Sequence, residues 1–217
     1  MMSMAFPIGK NKQIHFISEY DQFPPVTAKS FIPQWYKVGE QTFTDENGTE
    51  WGGIKKCIPF LDIMISGYML LLPEDIEVKN GAIISNFVSK RYHKMGATVP
   101  VPTGHVADQY VWQNTWGWKT PKKWSTLLTH PYNRFDLPFT TLSGLVDSDS
   151  FVSDGNIPFY IKAGFSGVIK AGTPIAQLIP IKRSIWKSHV SMDISLFSKY
   201  SGKEHYKKFD WKRKQYD

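Results

Sequence analysis

The sequence has one cysteine, Cys57, and that scarcity removes whole classes of chemistry. No intramolecular disulfide can form, and no zinc arrangement that needs two or more cysteine ligands is available. Long apolar runs are missing too. The longest, Ile63 to Leu72, is broken by Ser66 and Gly67, whereas a membrane-spanning helix needs about 20 apolar residues. The opening MMSMAFPIGKNKQ has no basic start followed by an apolar stretch, so no secretory signal is expected. These absences predict a soluble intracellular protein with no membrane partner.

Catalytic signatures are equally scarce. None of the six histidines, His15, His93, His105, His130, His189 and His205, is followed two residues later by Asp or Glu, which removes the His-x-Asp start of a 2-His-1-carboxylate iron site. There is no His-Glu-x-x-His, no Gly-x-Ser-x-Gly, no Gly-x-x-x-x-Gly-Lys and no Gly-x-Gly-x-x-Gly. Zinc hydrolases, α/β-hydrolases, P-loop enzymes and dinucleotide enzymes are thereby disfavoured, and no catalytic residue, metal or cofactor is assigned. Cys57, followed by Ile58-Pro59-Phe60-Leu61, reads as a small buried apolar residue.

What is present is the composition of a folded domain. In 217 residues, 41% are apolar and 15% aromatic, enough for one core that buries roughly 70% of the unfolded chain's surface. Lys and Arg outnumber Asp and Glu by 26 to 19; this permits a polyanion partner, although a distributed excess also describes an ordinary solvated surface. Fourteen prolines and sixteen glycines leave few windows for a long helix. Runs of β-branched and aromatic residues instead predict strands at Ile14–Ile17, Tyr68–Leu72, Ala82–Val88, Tyr110–Trp112, Trp124–Leu128, Gly144–Val146, Ile157–Ile161 and Ile175–Ile181. The expected fold is a mainly β, single-domain sandwich or barrel (β-clip, jelly-roll or cupin-like) over residues 1–217. Asp45-Glu46-Asn47-Gly48 and Ser153-Asp154-Gly155-Asn156 read as turn tips, and Glu40 to Gly53 as a loop. A short turn is expected at Thr27–Trp35. Residues 184–217 are expected to form a helical basic segment docked on the domain, with Val190, Ile194 and Phe197 on one helical face.

Two clusters are candidate sites. The first is aromatic: Trp112, Trp116, Trp118 and Trp124 fall within fifteen residues, and in an unbroken strand Trp112, Asn114 and Trp116 would face one side with Trp118 following. Such a row cements a core or, if exposed, stacks sugars or bases; core is the reading for a β-rich protein. The second lies between His130 and Asp149. His130, Asn133, Arg134 and Asp136 sit in a proline-framed loop, and Asp147 and Asp149 would share a face if the strand stays extended. Carboxylates at that spacing can bind a cation or hold Arg134; the alternative is an Arg–Asp pair with Asx turns that pins the loop.

Several blocks carry a resemblance: Trp118-Lys-Thr-Pro-Lys-Lys-Trp-Ser-Thr-Leu127, Pro131-Tyr-Asn-Arg134, Leu142-Ser-Gly-Leu-Val-Asp-Ser-Asp149, Ile157-Pro-Phe159 and Lys170 to Arg183 with Trp186. Together with Pro59-Phe60-Leu61, Gly67-Tyr68 and Leu72-Pro73, this pattern resembles an uncharacterised family encoded by tailed phages of aquatic bacteria. The resemblance implies a phage origin, with the host cytoplasm or the virion as location, and supplies no mechanism. Gly144-Leu-Val-Asp147 and Gly172-Thr-Pro-Ile-Ala-Gln-Leu-Ile179 are also similar to strands of the dUTPase and dCTP-deaminase β-clip enzymes, without a counterpart of their serine-containing phosphate motif.

The expected function is a phage-encoded, non-enzymatic binding or structural protein, a virion component or an accessory factor in infection, partnered by other phage proteins or by itself in a homo-oligomer. One alternative is a small-molecule or nucleotide-binding protein or enzyme whose pocket lies between the His130–Asp149 segment and the strand Ile175–Ile181. There Arg134 would neutralise a small anionic ligand, Asp147 would orient a hydroxyl or a cation, and His130 would act as acid or base. A third reading is nucleic-acid binding through the basic tail and exposed aromatics.

Overall fold

The strand-forming runs fold into a chain of short elements, described from a computed structural model over residues 12–19, 22–91, 100–152 and 155–195. In order these are β1 (His15–Ile17), β2 (Val26–Thr27), a 3-10 turn (Ala28–Phe31), α1 (Gln34–Val38), β3 (Thr42–Thr44), β4 (Glu50–Gly52), a second 3-10 turn (Ile54–Lys56) and α2 (Ile58–Ile65). There follow β5 (Tyr68–Leu71), β6 (Ile76–Lys79), β7 (Ala82–Ile83), β8 (Val88–Arg91), β9 (His105–Gln113) and β10 (Gly117–Lys119). The last are β11 (Trp124–Thr129), β12 (Phe139–Thr141), β13 (Gly144–Val146), β14 (Asn156–Lys162), β15 (Gly167–Ile169) and β16 (Pro174–Lys182).

The architecture is mainly β and sandwich-like, and the strand pairings are antiparallel. One sheet has the order β13-β11-β16-β5-β2, the other β12-β14-β9-β8, with small sheets β15-β6-β7, β1-β10 and β3-β4 beside them. The alternating burial of a strand with one face inward recurs at Ile76 and Val78 in β6 and at Ile157, Phe159 and Ile161 in β14. These side chains join Leu70, Trp112, Trp118, Leu128, Phe139, Ile175 and Leu178 in one core cluster drawn from both large sheets. Trp112 stacks on Phe159 with ring centroids 3.5 Å apart, and Phe139 meets it edge-on.

Where structure and expectation part, side-chain chemistry explains the difference. The run Ala82–Val88 is two strands, because the Ser85 hydroxyl donates to Glu74 and accepts the Phe87 N–H, turning the chain between β7 and β8. Glu40 to Gly53 is a hairpin, not a plain loop. Asp45 accepts the N–H groups of Asn47 and Thr49 and the indole N–H of Trp51, closing the tip at Gly48 (φ 78°). The apolar stretch from Ile58 to Ile65 is helical, since Pro59 falls in the first turn where its missing N–H costs nothing. Cys57, expected buried, is exposed at the entry to that helix, where its carbonyl accepts the N–H of Phe60.

The chain divides into two units, Met1–Lys182 and Arg183–Asp217. The helix expected from Ser184 is absent from the described part of the second unit up to Met192, and Val190 and Ile194 are 85% and 81% exposed. Ser-His-Val-Ser-Met-Asp is a poor helix sequence, since its Ser and Asp side chains compete for backbone groups. Helical structure is entered only at Ser195, whose N–H is held by the Asp193 carboxylate. The basic tail Lys203–Asp217 and the Phe197 position lie outside the described residues.

Candidate functional site

The polar segment from His130 to Asp149 is not one site. Its two halves sit at opposite ends of β11, because His130 follows the strand while Asp147 contacts Ser125 near its start. Five residues of extended chain separate those points, roughly 17 Å at the usual strand rise. Arg134 is held by Asp136, not by Asp147 or Asp149.

At the first end the loop is a knot of turns. Arg134 N–H bonds to Pro131 O and Leu137 N–H to Arg134 O, while Asn133 takes the left-handed conformation (φ 59°) that Asn tolerates. The Arg134 guanidinium grips Asp136 in a two-pronged pair, Nε to Oδ1 at 2.8 Å and the terminal nitrogen to Oδ2 at 2.7 Å. That contact holds the Asp136 carboxyl below its ordinary pKa. The Arg134 side chain is only 13% exposed, and its remaining arm reaches Phe31 O. Each of its three nitrogens therefore has a partner within the fold.

His130 is equally committed. Its Nδ1 accepts the Thr141 N–H (3.3 Å) and its Nε2 faces Arg134 O (3.4 Å), the arrangement of a neutral imidazole protonated on Nε2. Burial lowers its pKa from 6.5 to about 4, with Lys162 and Arg134 adding to the effect against the opposing Arg134 carbonyl. A base whose acceptor nitrogen is filled by a backbone N–H has no lone pair to offer a substrate. The strand over 175–181 approaches the same knot through Gln177, which is fully buried. Its carbonyl oxygen accepts Tyr132 N–H, and its amide group donates to Ile63 O and Ser66 O. The Gln177 carboxamide thus ties this strand to the loop and to the end of α2.

At the other end, the strand β13 stops at Val146 and the chain turns, with Ser150 and Phe151 N–H both bonded to Asp147 O. Asp147 and Asp149 therefore do not share a strand face. Asp147 accepts the Ser125 hydroxyl (2.7 Å), and Asp149 accepts the backbone N–H of Lys123 (2.7 Å). Between them Ser148 is fully buried, its hydroxyl within 2.8 Å of Thr120 Oγ1 and 2.7 Å of Thr126 Oγ1. Among the described residues, no group of three or more His, Cys, Asp or Glu side chains could hold a metal ion.

The four tryptophans do not form a row. β9 ends at Gln113, and the Asn114 side chain bonds both the N–H and the carbonyl of Trp116, bending the chain so that β10 pairs with β1 in a different sheet. Trp112 and Trp118 are core residues, 1% and 3% exposed, while Trp116 and Trp124 are partly buried. The two buried indoles differ: Trp112 donates to Thr141 Oγ1, whereas the Trp118 N–H has no acceptor.

Trp118 also borders an open cavity of about 500 Å³, walled by Leu128, Leu142, Val146, Phe151, Ile157 and Pro158, with Ser143, Gly144 and Asn156 alongside. Among the described residues, no charged side chain lines it. A second cleft of about 640 Å³ lies by Ile17, Asn86, Gln113 and Asn114. Sequence reasoning named Trp118 but missed its surroundings, since Leu142, Gly144 and Phe151 carry no chemical signature in isolation. Elsewhere the β3–β4 hairpin sets Phe43 opposite Trp51, 52% and 53% exposed. Neither a family model nor a curated protein matches the chain. Among the described residues, no helix is long and apolar enough to cross a membrane.

Proposed function

We propose that the chain is a phage-encoded binding or structural protein that works through protein contacts, in the virion or as an accessory factor during infection. The observation that carries this reading is the fate of the polar segment. His130, Arg134, Asp136, Asp147 and Asp149, the groups best suited to chemistry, each hold a backbone or side-chain partner within the fold. Groups engaged in this way position loops. Contact surface is offered instead by exposed apolar side chains, among them the Phe43–Trp51 pair on the β3–β4 hairpin. On opposite strands of one hairpin such a pair lies side by side, and aromatic side chains of this kind anchor protein interfaces.

The partner is a second copy of the chain or another phage protein. Native mass spectrometry of the protein purified from infected cells, together with an assay of purified particles, tests the reading. The expected result is a symmetric oligomer or a complex with virion proteins, weakened when Phe43 and Trp51 are both replaced by serine. A monomer that is absent from particles and turns over a metabolite would sink it.

A further inference from the structure

Independently of those protein contacts, we infer that the turn between β10 and β11 is a docking surface for the phosphate backbone of a nucleic acid. Five exposed lysines converge there. Lys119 closes β10, Lys122 and Lys123 lie in the turn, and Lys182 stands opposite Trp124 in the β11–β16 register. The Lys12 ammonium lies 4.6 Å from the centre of the Trp124 ring. Opposed residues of an antiparallel pair are about 5 Å apart and project to one face, so Lys182 and Trp124, with Lys12 over its ring, share a face beside the turn.

Two observations separate this cluster from an ordinary solvated surface. The first is that its charge is left unmatched. Lys79, Lys90, Arg134 and Lys170 each pair with a carboxylate, whereas among the described residues none of the five lysines forms an ion pair. Lys12 is held by the Trp124 ring, a contact that fixes the ammonium without neutralising it. The carboxylates bordering the turn, Asp147 and Asp149, accept the Ser125 hydroxyl and the Lys123 backbone N–H, so positive groups outnumber negative ones by five to two. The second is Lys123 itself, whose φ of 70° lies in the left-handed region, where lysine is strained and glycine is not. Its bond to Asp149 uses the backbone N–H and does not call for lysine. What lysine adds at this strained position is an exposed, charged side chain.

The surroundings define the class of partner. Trp124 N–H bonds to Pro121 O, the Thr120 hydroxyl donates to Trp124 O and Lys123 N–H is held by Asp149, so the turn gathers its lysines before anything binds. Protein interfaces are depleted in lysine. A site on a membrane surface sets apolar side chains beside its cations for insertion, whereas Trp124 is partly buried and carries Lys12 over its ring. Lysine binds phosphate as a point charge, and one nucleic-acid strand presents a phosphate about every 3.4 Å along a duplex, close enough for a single strand to engage several lysines of the cluster. Contacts of this kind carry no base information, so binding is independent of sequence.

Fluorescence anisotropy of a labelled DNA duplex of about 20 base pairs, titrated with the full chain between about 50 and about 200 mM KCl, tests the inference. Saturable binding is expected, with the logarithm of the affinity falling linearly against the logarithm of salt by about 0.9 for each lysine engaged, or about 3.6 for four. K122Q/K123Q should make that slope shallower by about 1.8 and weaken binding at the lower salt by about tenfold or more. K212Q/K214Q, which takes the same charge from the C-terminal tail, should change the slope by less than about 0.9, the share of one contact. No saturable binding at the lower salt would overturn the inference, as would an affinity that K122Q/K123Q leaves unchanged or that K212Q/K214Q alone abolishes. Binding to phosphatidylserine vesicles that K122Q/K123Q weakens, with none to the duplex, would assign the turn to a membrane surface and overturn it too. If K122Q/K123Q fails to fold, K119Q/K182Q, on the strands beside the turn, takes its place with the same expected result.

Discussion

The loop after β11 and the start of β13, which pairs with the last residues of that strand, are neighbours in one sheet and treat their polar groups in opposite ways. In the His130–Asp136 loop each donor and acceptor discussed above is matched inside the chain, down to the three bonds of the Gln177 carboxamide. Near β13, the buried indole N–H of Trp118 goes without a partner. A saturated cluster identifies structure, however chemical its residues look. An unpaired buried donor marks a cost that the fold carries. The contrast matters because the saturated cluster is the one that reads as a site in the sequence.

The sharpest way to break the comparison is to unsaturate the loop. Q177L keeps the side-chain size but strips acceptor and donors, so Tyr132 N–H, Ile63 O and Ser66 O each lose their part-buried bond to Gln177. Each such group costs about 1–3 kcal/mol, so urea denaturation should show a loss of about 3–5 kcal/mol. A loss below about 1 kcal/mol would mean that the loop is not pinned through Gln177.

Acid should loosen the same loop through His130. Its pKa in the fold, about 4, lies below the 6.5 of an unconstrained histidine, so the unfolded chain takes up the proton first. Stability is therefore full above about pH 6.5 and falls as the pH drops toward 4, by up to about 3 kcal/mol at 1.36 kcal/mol per pKa unit. Below about pH 4 both states carry the proton and this contribution stops changing. Asp136, whose pKa is lowered by Arg134, loses its contribution only in the more acidic range where carboxylates protonate. H130Q, which keeps an acceptor for Thr141 N–H, should flatten the slope between pH 6.5 and 4 in denaturation measured across that range.

A smaller effect separates the two indoles. W112F removes a donor and orphans nothing but a hydroxyl that still donates to Ile175 O, and should cost about 1–2 kcal/mol through the lost bond and packing. W118F removes a donor that has no partner; it should cost less than W112F by about 1 kcal/mol. Equal losses in thermal or urea unfolding would show that the Trp118 N–H is satisfied in solution, and the contrast between the loop and Trp118 would narrow.

Strands were legible in the sequence because their signal is local. Gly144–Val146 was read to its ends, and Trp124–Leu128, Ile157–Ile161 and Ile175–Ile181 fall inside β11, β14 and β16. Short strands such as β12 and β15, with three residues each, offer too little alternation to register, and α2 hides behind Pro59. The candidate sites were legible only as lists of residue types. That Arg134 pairs with Asp136 is a nearest-neighbour matter and was among the alternatives. That Asp147 faces Ser125, 22 positions away, and that Gly144 lies opposite Leu128, depend on strand register, which hydrophobic periodicity does not encode. The cavity is a property of that register, and so it could not be read from residue types.

The finest test concerns the turn at the far end of β11, where Lys123 holds φ at 70° with its N–H bonded to Asp149. A lysine in the left-handed region is strained by about 1 kcal/mol or more, because its Cβ crowds the carbonyl oxygen. Glycine has no such strain there, although it gives the unfolded chain more freedom to lose. The Asp149 bond uses the backbone N–H, which K123G preserves, so the substitution leaves the turn's anchor in place. K123G should therefore raise stability by about 0.5–1 kcal/mol in urea denaturation, and in the double variant with D149A the gain should persist while the anchor is lost. A loss of stability in K123G would mean that the aliphatic stem of Lys123 packs against the turn, and that this end of the strand is held by side-chain contact more than by the Asp149 hydrogen bond.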